Sequence, residues 1–119
     1  MEASKANDAV RRLLFVYGSL RRGGEAHALI AAARLLAEVE TAPCYATIMH
    51  AGYPMLVSGH QRIAGQVFAV PEPLWPAVDA WEEAPRLYQC APIQLDPTAA
   101  DLLPPGATVW AYFGNDSAL

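Results

Sequence analysis

Alternating and continuous hydrophobic stretches predict that most of this chain folds as short strands. The continuous apolar run Leu13–Tyr17 is typical of a strand that is buried on both faces. Apolar and other residues alternate well enough in Arg62–Val70 to predict a strand. Leu87–Leu95 is a further strand candidate, which a proline interrupts. The stretch Val39–His50 mixes β-branched and aromatic residues, and it ends at a turn over Gly52–Tyr53–Pro54. The segment TVWAYFG is the final predicted strand.

Two further segments have the composition of helices. Glu25–Leu36 is rich in alanine and leucine and contains no helix breaker. Leu74–Glu83 follows prolines that suit the first turn of a helix, and Pro85 would end it. The segment 97–107 is predicted to be a loop. One helix followed mostly by strands predicts an α+β fold with a mainly antiparallel sheet or barrel.

The chain leaves the first strand through the sequence Tyr-Gly-Ser-Leu, at residues 17–20. Gly18 lets the backbone turn without a Cβ clash. The consecutive N–H groups of Gly18, Ser19 and Leu20 could then converge on a small anion. The alternative is a plain turn that ends a strand. Both interpretations fit the residues.

The short second helix contains an unusual glutamate. At 100° per residue, Glu82 falls between Val78 and Trp75 on the apolar side of the helix, whereas Asp79 and Glu83 fall on the far side. A carboxylate among apolar side chains loses solvation, which raises its pKa. Such a carboxyl group can accept and return a proton near neutral pH. If the helical register differs, Glu82 is an ordinary surface charge.

Size and charge exclude several classes of protein. With 119 residues the chain has room for one core, so residues 11–119 are interpreted as a single domain after a loose arm over residues 1–10. The formal net charge of −4 argues against a nucleic-acid partner. No apolar run has the length of a membrane span, and the first residues do not resemble a secretory signal. These features favour a cytoplasmic location without a membrane partner.

The cysteines and histidines show no spacing that indicates a metal site or another cofactor. Cys44 and Cys90 lie far apart, and we interpret both as buried thiols rather than as a disulfide or a nucleophile. The three histidines lack the spacing of metal ligands. Neither a metal nor another cofactor is therefore expected.

Five segments, taken in order, resemble the γ-glutamylcyclotransferase-like superfamily, which includes AIG2-like proteins and γ-glutamylamine cyclotransferases. They are FVYGSL, GYPML, IAGQVFAV, VDAWEEAPRLY and VWAYF, and together they extend from about Leu13 to Phe113. The family pattern L-D-x-x-E-G is met by Asp79 and Glu82, with Val78 in place of the leucine. Glu83 departs from the usual glycine. Cys90 departs from the arginine of the following Tyr-x-Arg element.

The resemblance implies a small, mainly antiparallel, partly closed β-barrel with flanking helices and a pocket at its mouth. It implies that Glu82 acts as a general base and then as a general acid. It also implies that the loop after the first strand holds the glutamyl head and the developing oxyanion of the substrate. The expected substrate-binding residues are Tyr17, Gly18, Ser19, Leu20, Tyr88 and Tyr112.

The chemistry that the resemblance implies is cyclisation of a γ-glutamyl amide to 5-oxoproline with release of an amine. The expected partner is a small γ-glutamyl molecule, no cofactor is needed, and the protein would be a monomer or a homodimer. The alternative is a binding or interaction protein that keeps the fold and the pocket but has lost turnover. The departures at Glu83 and Cys90 keep this alternative open.

Overall fold

Seven strands form one sheet in the computed structural model, which describes residues 11–18, 27–50, 52–81 and 88–114. In chain order the strands are β1 (Arg11–Val16), β2 (Arg34–Glu40), β3 (Tyr45–His50), β4 (Tyr53–Ser58), β5 (Ala64–Pro71), β6 (Tyr88–Pro92) and β7 (Val109–Gly114). An α-helix, α1 (Trp75–Trp81), packs on the sheet. Short 3-10 helices span His27–Ile30, Glu72–Leu74 and Pro97–Leu102.

The order of the strands is β2-β5-β1-β7-β4-β3, and β6 pairs with β7 outside this path. Among the described strands, β7 runs parallel to both β1 and β4, and the other pairings are antiparallel. β1 lies beside the first half of β7, with Leu13 opposite Val109. β4 lies beside the second half, with Leu56 opposite Phe113. The predicted α+β class with mainly antiparallel pairing is confirmed. The path ends at β2 and β3, so the described strands form an open sheet where the resemblance implied a partly closed barrel.

Both faces of the sheet are covered, which explains why β1 is a continuous apolar run. Leu14 and Val16 pack on the face that α1 covers, whereas Phe15 between them packs on the other. The helix-face cluster contains Leu14, Val16, Ile30, Met55, Phe68, Val70, Trp75, Val78, Tyr88 and Tyr112. The opposite-face cluster contains Phe15, Val39, Leu56, Val67, Ile93, Ala99, Val109 and Ala111.

The helix predicted over Glu25–Leu36 is wrong within the described residues. A 3-10 helix covers His27–Ile30, and β2 begins at Arg34. Leu35 lies opposite Phe68 of β5, and a register shift follows between Leu35 and Ala37. Antiparallel pairing with β5 therefore overrides the helix propensity of the alanines and leucines, because propensity is a weak preference next to tertiary contacts.

Three smaller predictions also need correction. Only Gly52, with φ of 86°, belongs to the turn predicted over residues 52–54, because β4 already begins at Tyr53. The predicted loop over residues 97–107 contains a 3-10 helix, which Asp96 caps by accepting a hydrogen bond from the Thr98 N–H. Cys44 is exposed and Cys90 half-buried, and both are free thiols, so neither is the fully buried thiol that was expected.

Gly65 of β5 is predicted to be intolerant of a side chain. A Cβ there would lie 2.5 Å from the carbonyl oxygen of Val16 and 2.5 Å from Phe15 Cζ. We expect Gly65→Ala to lower the free energy of unfolding by about 1–3 kcal/mol, measured by urea denaturation. The control is Gly106→Asn, because Gly106 has φ of 71° and open space around it, and asparagine tolerates that conformation. Equal stability of Gly65→Ala and wild type would contradict the prediction.

Asp96 is predicted to make stability depend on acid pH. Hydrogen bonds from Thr98, with a smaller contribution from Arg62, lower the pKa of Asp96 below 3.8. Its stabilisation is therefore present above the unfolded-state pKa and is lost as pH falls through the lower folded-state pKa. We expect the stability difference between wild type and Asp96→Asn, measured by urea denaturation, to shrink at acid pH. Thr98→Val should weaken this dependence, and a difference that stays constant with pH would count against it.

Candidate functional site

Four of the predicted site residues, Tyr17, Gly18, Tyr88 and Tyr112, lie within the described residues, where β1 ends and β6 begins beside β4 and β7. Because β1 and β4 run parallel to β7, the carboxyl ends of all three face the same edge of the sheet. β6 enters from the same edge, with Tyr88 opposite Gly114. Tyr17 and Gly18 follow β1 directly. The fold therefore brings Tyr17, Gly18 and Tyr88 to the same region as Tyr112.

The hydroxyl group of Tyr17 connects two strands at this edge. It donates a hydrogen bond to the carbonyl oxygen of Tyr112 at 2.7 Å and accepts one from the N–H of Leu56 at 3.1 Å. Its ring stacks on Phe15, with centroids 6.2 Å apart. The side chain thus packs with the opposite-face cluster, while its hydroxyl group supports the backbone of β4 and β7.

Pro54 links two other predicted site residues. A Cβ on Gly18 would lie 3.3 Å from Pro54 Cγ, so the absence of a side chain permits this close approach. The backbone bends at Gly18 without a positive φ, so the close contact with Pro54, and not a left-handed conformation, is the reason for a glycine here. Tyr88, which is 7% exposed, donates from its hydroxyl to the carbonyl oxygen of Pro54 at 3.2 Å.

Tyr112 and α1 meet through a hydrogen bond that the sequence analysis did not identify. The hydroxyl of Tyr112, which is 2% exposed, donates to Oδ1 of Asp79. Asp79 is half-buried, so its predicted position on the solvent side of the helix needs correction. The helical wheel compares residues within one helix, whereas this partner comes from β7. The ring of Tyr112 also lies 6.3 Å from that of Trp75.

The inward face of α1 was otherwise predicted well. Val78 is fully buried and Trp75 is 2% exposed, whereas Trp81 is 40% exposed. Nε1 of Trp75 donates to the carbonyl oxygen of Val70 at 3.2 Å. Arg12 lies 4.0 Å above the Trp75 ring and makes an ion pair with Glu72 at 2.8 Å. These contacts fix the start of the helix.

Several predicted residues cannot be compared with the structure. Ser19, Leu20, Glu82 and Glu83 lie outside the described residues. Their roles, and the substrate contacts of Tyr17, Gly18, Tyr88 and Tyr112, therefore stay predictions. The described part of the chain contains no group of three or more His, Cys, Asp or Glu side chains that could hold a metal ion. It also contains no helix that is long and apolar enough to cross a membrane.

Comparison with known families agrees with this architecture. The family model described as "Gamma-glutamyl cyclotransferase, AIG2-like" matches residues 14–118. The chain belongs to this family. A Vibrio cholerae protein named "Putative gamma-glutamylcyclotransferase" is 35% identical over 108 residues, which cover 91% of this chain and 86% of that protein. The resemblance seen in the five sequence motifs is thereby confirmed, and membership supports cyclotransferase activity.

Solved structures show that the AIG2-like fold extends over nearly the whole chain. A mouse AIG2-like protein superposes with a TM-score of 0.67 at 22% identity. The superposition covers 92% of this chain and 79% of the mouse chain. Allophanate hydrolase from Kluyveromyces lactis superposes with a TM-score of 0.69 at 18% identity. That superposition covers 91% of this chain but only 18% of the hydrolase chain. At these identities the likeness shows the fold alone.

Tyr17→Phe tests the hydroxyl bridge of this AIG2-like chain. The substitution leaves the Leu56 N–H and the Tyr112 carbonyl oxygen without the bridging group. We expect a loss of about 1–3 kcal/mol in the free energy of unfolding, measured by urea denaturation, because buried polar groups are costly to leave unpaired. Tyr45→Phe is the control, since its hydroxyl bonds the N–H of Gln94, an exposed residue that water can reach. A smaller loss for Tyr17→Phe than for this control would contradict the bridge.

Proposed function

We propose that this protein cyclises a γ-glutamyl amide to 5-oxoproline and releases the free amine. The match of residues 14–118 to the γ-glutamyl cyclotransferase, AIG2-like family carries this proposal. The relative from Vibrio cholerae, whose name carries the same activity, supports it over most of both chains. The substrate is a small molecule that carries a γ-glutamyl group joined to an amine or an amino acid.

The reaction needs no second reactant, because the substrate carries its own nucleophile. The α-amine nitrogen attacks the γ-carbonyl carbon and closes a five-membered ring, and the bond from that carbon to the departing nitrogen then breaks. An enzyme that holds the substrate in a folded pose can lower the barrier greatly by positioning alone. The α-amine is protonated near neutral pH, so a base must first remove a proton.

Glu82 is our candidate for that base. It would take one proton from the α-ammonium group before the attack and later return it to the departing nitrogen, so the carboxylate is regenerated. The second proton, which the ring nitrogen loses as it becomes an amide, also passes to the departing amine, which leaves as an ammonium ion. The backbone N–H groups of Gly18, Ser19 and Leu20 would bind the carbonyl oxygen as it becomes negative. Two facts support this division of roles. Glu82 directly follows α1, and Gly18 follows Tyr17 at the edge where Tyr88 begins β6.

A binding protein without turnover is the second candidate, and Cys90 favours it. The resemblance leads us to expect arginine at this position, but Cys90 is half-buried and packs beside the helix-face cluster. A thiol there cannot make the charged hydrogen bonds of a guanidinium group. If that arginine supports turnover in related proteins, its loss would leave a pocket that binds without reacting.

Incubation with a panel of γ-glutamyl amino acids and γ-glutamyl amines distinguishes the two candidates. We expect wild type to form 5-oxoproline, detected by mass spectrometry. Glu82→Gln should reduce the rate by about 100- to 10,000-fold, because it removes the proton acceptor while keeping the size of the side chain. Glu83→Gln is the matched control, since it removes the neighbouring charge, and it should retain most of the activity.

Each other outcome has a definite meaning. Full activity of Glu82→Gln would contradict the role of Glu82 but not the reaction. Absence of 5-oxoproline with every panel member would contradict the proposed enzyme activity for these substrates. If the same compounds then raise the melting temperature of wild type, the binding protein is the better assignment.

A further inference from the structure

The contact between Asp79 and Tyr112 joins α1 to the middle of the sheet. Tyr112 is almost fully buried, and a buried phenol needs a hydrogen-bond partner. Its hydroxyl donates to a carboxylate oxygen of Asp79. The pair therefore forms a firm connection between the helix and β7.

The same tyrosine extends this connection to two more strands. The carbonyl oxygen of Tyr112 accepts the hydroxyl of Tyr17, which in turn accepts the N–H of Leu56. One continuous set of hydrogen bonds thus joins α1, β7, β4 and the residue that follows β1. Two members of this set, Tyr17 and Asp79, precede the chain segments that carry the proposed chemistry. Gly18 follows Tyr17, and Glu82 comes three residues after Asp79.

The location of Asp79 within α1 gives this bond its importance. The helix has seven residues, and a helix of that length has little stability of its own. Its start is held by the indole N–H of Trp75 on the Val70 carbonyl and by Arg12 over the indole ring. Asp79 lies in the last turn and makes its contact there. The contact therefore holds the last turn of the helix against β7, together with the buried side chain of Val78.

We propose that Asp79 is a positioning residue of the cyclotransferase site and that it acts through the hydroxyl of Tyr112. The inference rests on the proposed function. The bond sets the direction in which the chain leaves α1. It therefore helps to position the next residue, Glu82, the proposed general base. A displacement of about 1 Å in a reacting group can reduce the rate about 100-fold. Asp79 itself contacts Tyr112 and does not need to touch the substrate.

The test is a set of substitutions that remove or keep this hydrogen bond. Asp79→Ala and Tyr112→Phe each remove it, whereas Asp79→Asn keeps a carbonyl oxygen as the acceptor and removes only the charge. We expect the first two to lower kcat by about 10- to 100-fold, and Asp79→Asn to stay within about threefold of wild type. The double variant Asp79→Ala/Tyr112→Phe should be no worse than either single variant, because all three lack the same bond.

Rates are measured well below the unfolding transition of every variant, so that loss of folded protein does not enter kcat. Tyr45→Phe is the matched control, since it also removes a tyrosine hydroxyl, which hydrogen-bonds the N–H of Gln94, and its ring contact with Phe113 is kept. It should stay within about twofold of wild type. A kcat loss in this control equal to that of Tyr112→Phe would overturn the inference.

Three further results would overturn the positioning role. The first is that Asp79→Asn is as impaired as Asp79→Ala, since charge rather than the hydrogen bond would then matter. The second is that the effects of the two single substitutions multiply in the double variant. The third is full activity of both single variants, which rejects the role while leaving the proposed function intact. A wild type that forms no 5-oxoproline contradicts the proposed function, and the inference falls with it.

Discussion

One side of β7 pairs with two different strands, and the rest of the structure depends on this constraint. One side of this strand pairs first with β1 and then with β4, and both run parallel to it. Two strands that share one edge must separate where one gives way to the other. The hydroxyl of Tyr17 lies at this point and satisfies a carbonyl oxygen of β7 and an N–H of β4. A single phenol thereby replaces part of the backbone pairing.

Apolar burial and hydrogen bonding have different roles in holding α1. Burial of a side chain such as Val78 or Trp75 contributes about 1.5–3 kcal/mol each, and it attaches the helix to the sheet. A hydrogen bond to a charged group adds a comparable amount, about 1.5–3 kcal/mol, but only at one geometry. Packing therefore brings the helix to the sheet, whereas the hydroxyl of Tyr112 on Asp79 fixes where along the sheet it lies.

Local patterns in the sequence predicted the elements whose burial follows a simple period. β1 appears as an apolar run because both of its faces are covered, and the inward positions of Trp75 and Val78 follow from a helical repeat. Leu35 pairs with Phe68 instead of continuing a helix, and a residue's own neighbours in the chain carry no sign of such a partner.

The roles of the candidate site residues stay predictions, and local patterns indicate only some of their contacts. The motifs led to the tyrosines and to Gly18, and family membership confirmed the resemblance that they carried. Asp79 was placed on the wrong side because its partner, Tyr112, is 33 residues away in the chain. Pro54 was likewise seen as part of a turn, whereas it lies between Gly18 and Tyr88. Contacts between distant strands determine these details.

The position of β7 also has a consequence for how the protein is made. The last strand of the described chain lies in the middle of the sheet, with β1 and β4 on one side and β6 on the other. Before the ribosome has synthesised it, β1, β2 and β5 can pair with one another, and β3 can pair with β4. Among the strands that the structure describes, these two groups pair with each other only through β7. Late insertion of a central strand requires long-range contacts, which slow folding. Until β7, which ends at Gly114, has been made, the strands that pair with it have unpaired edges that other nascent chains can bind.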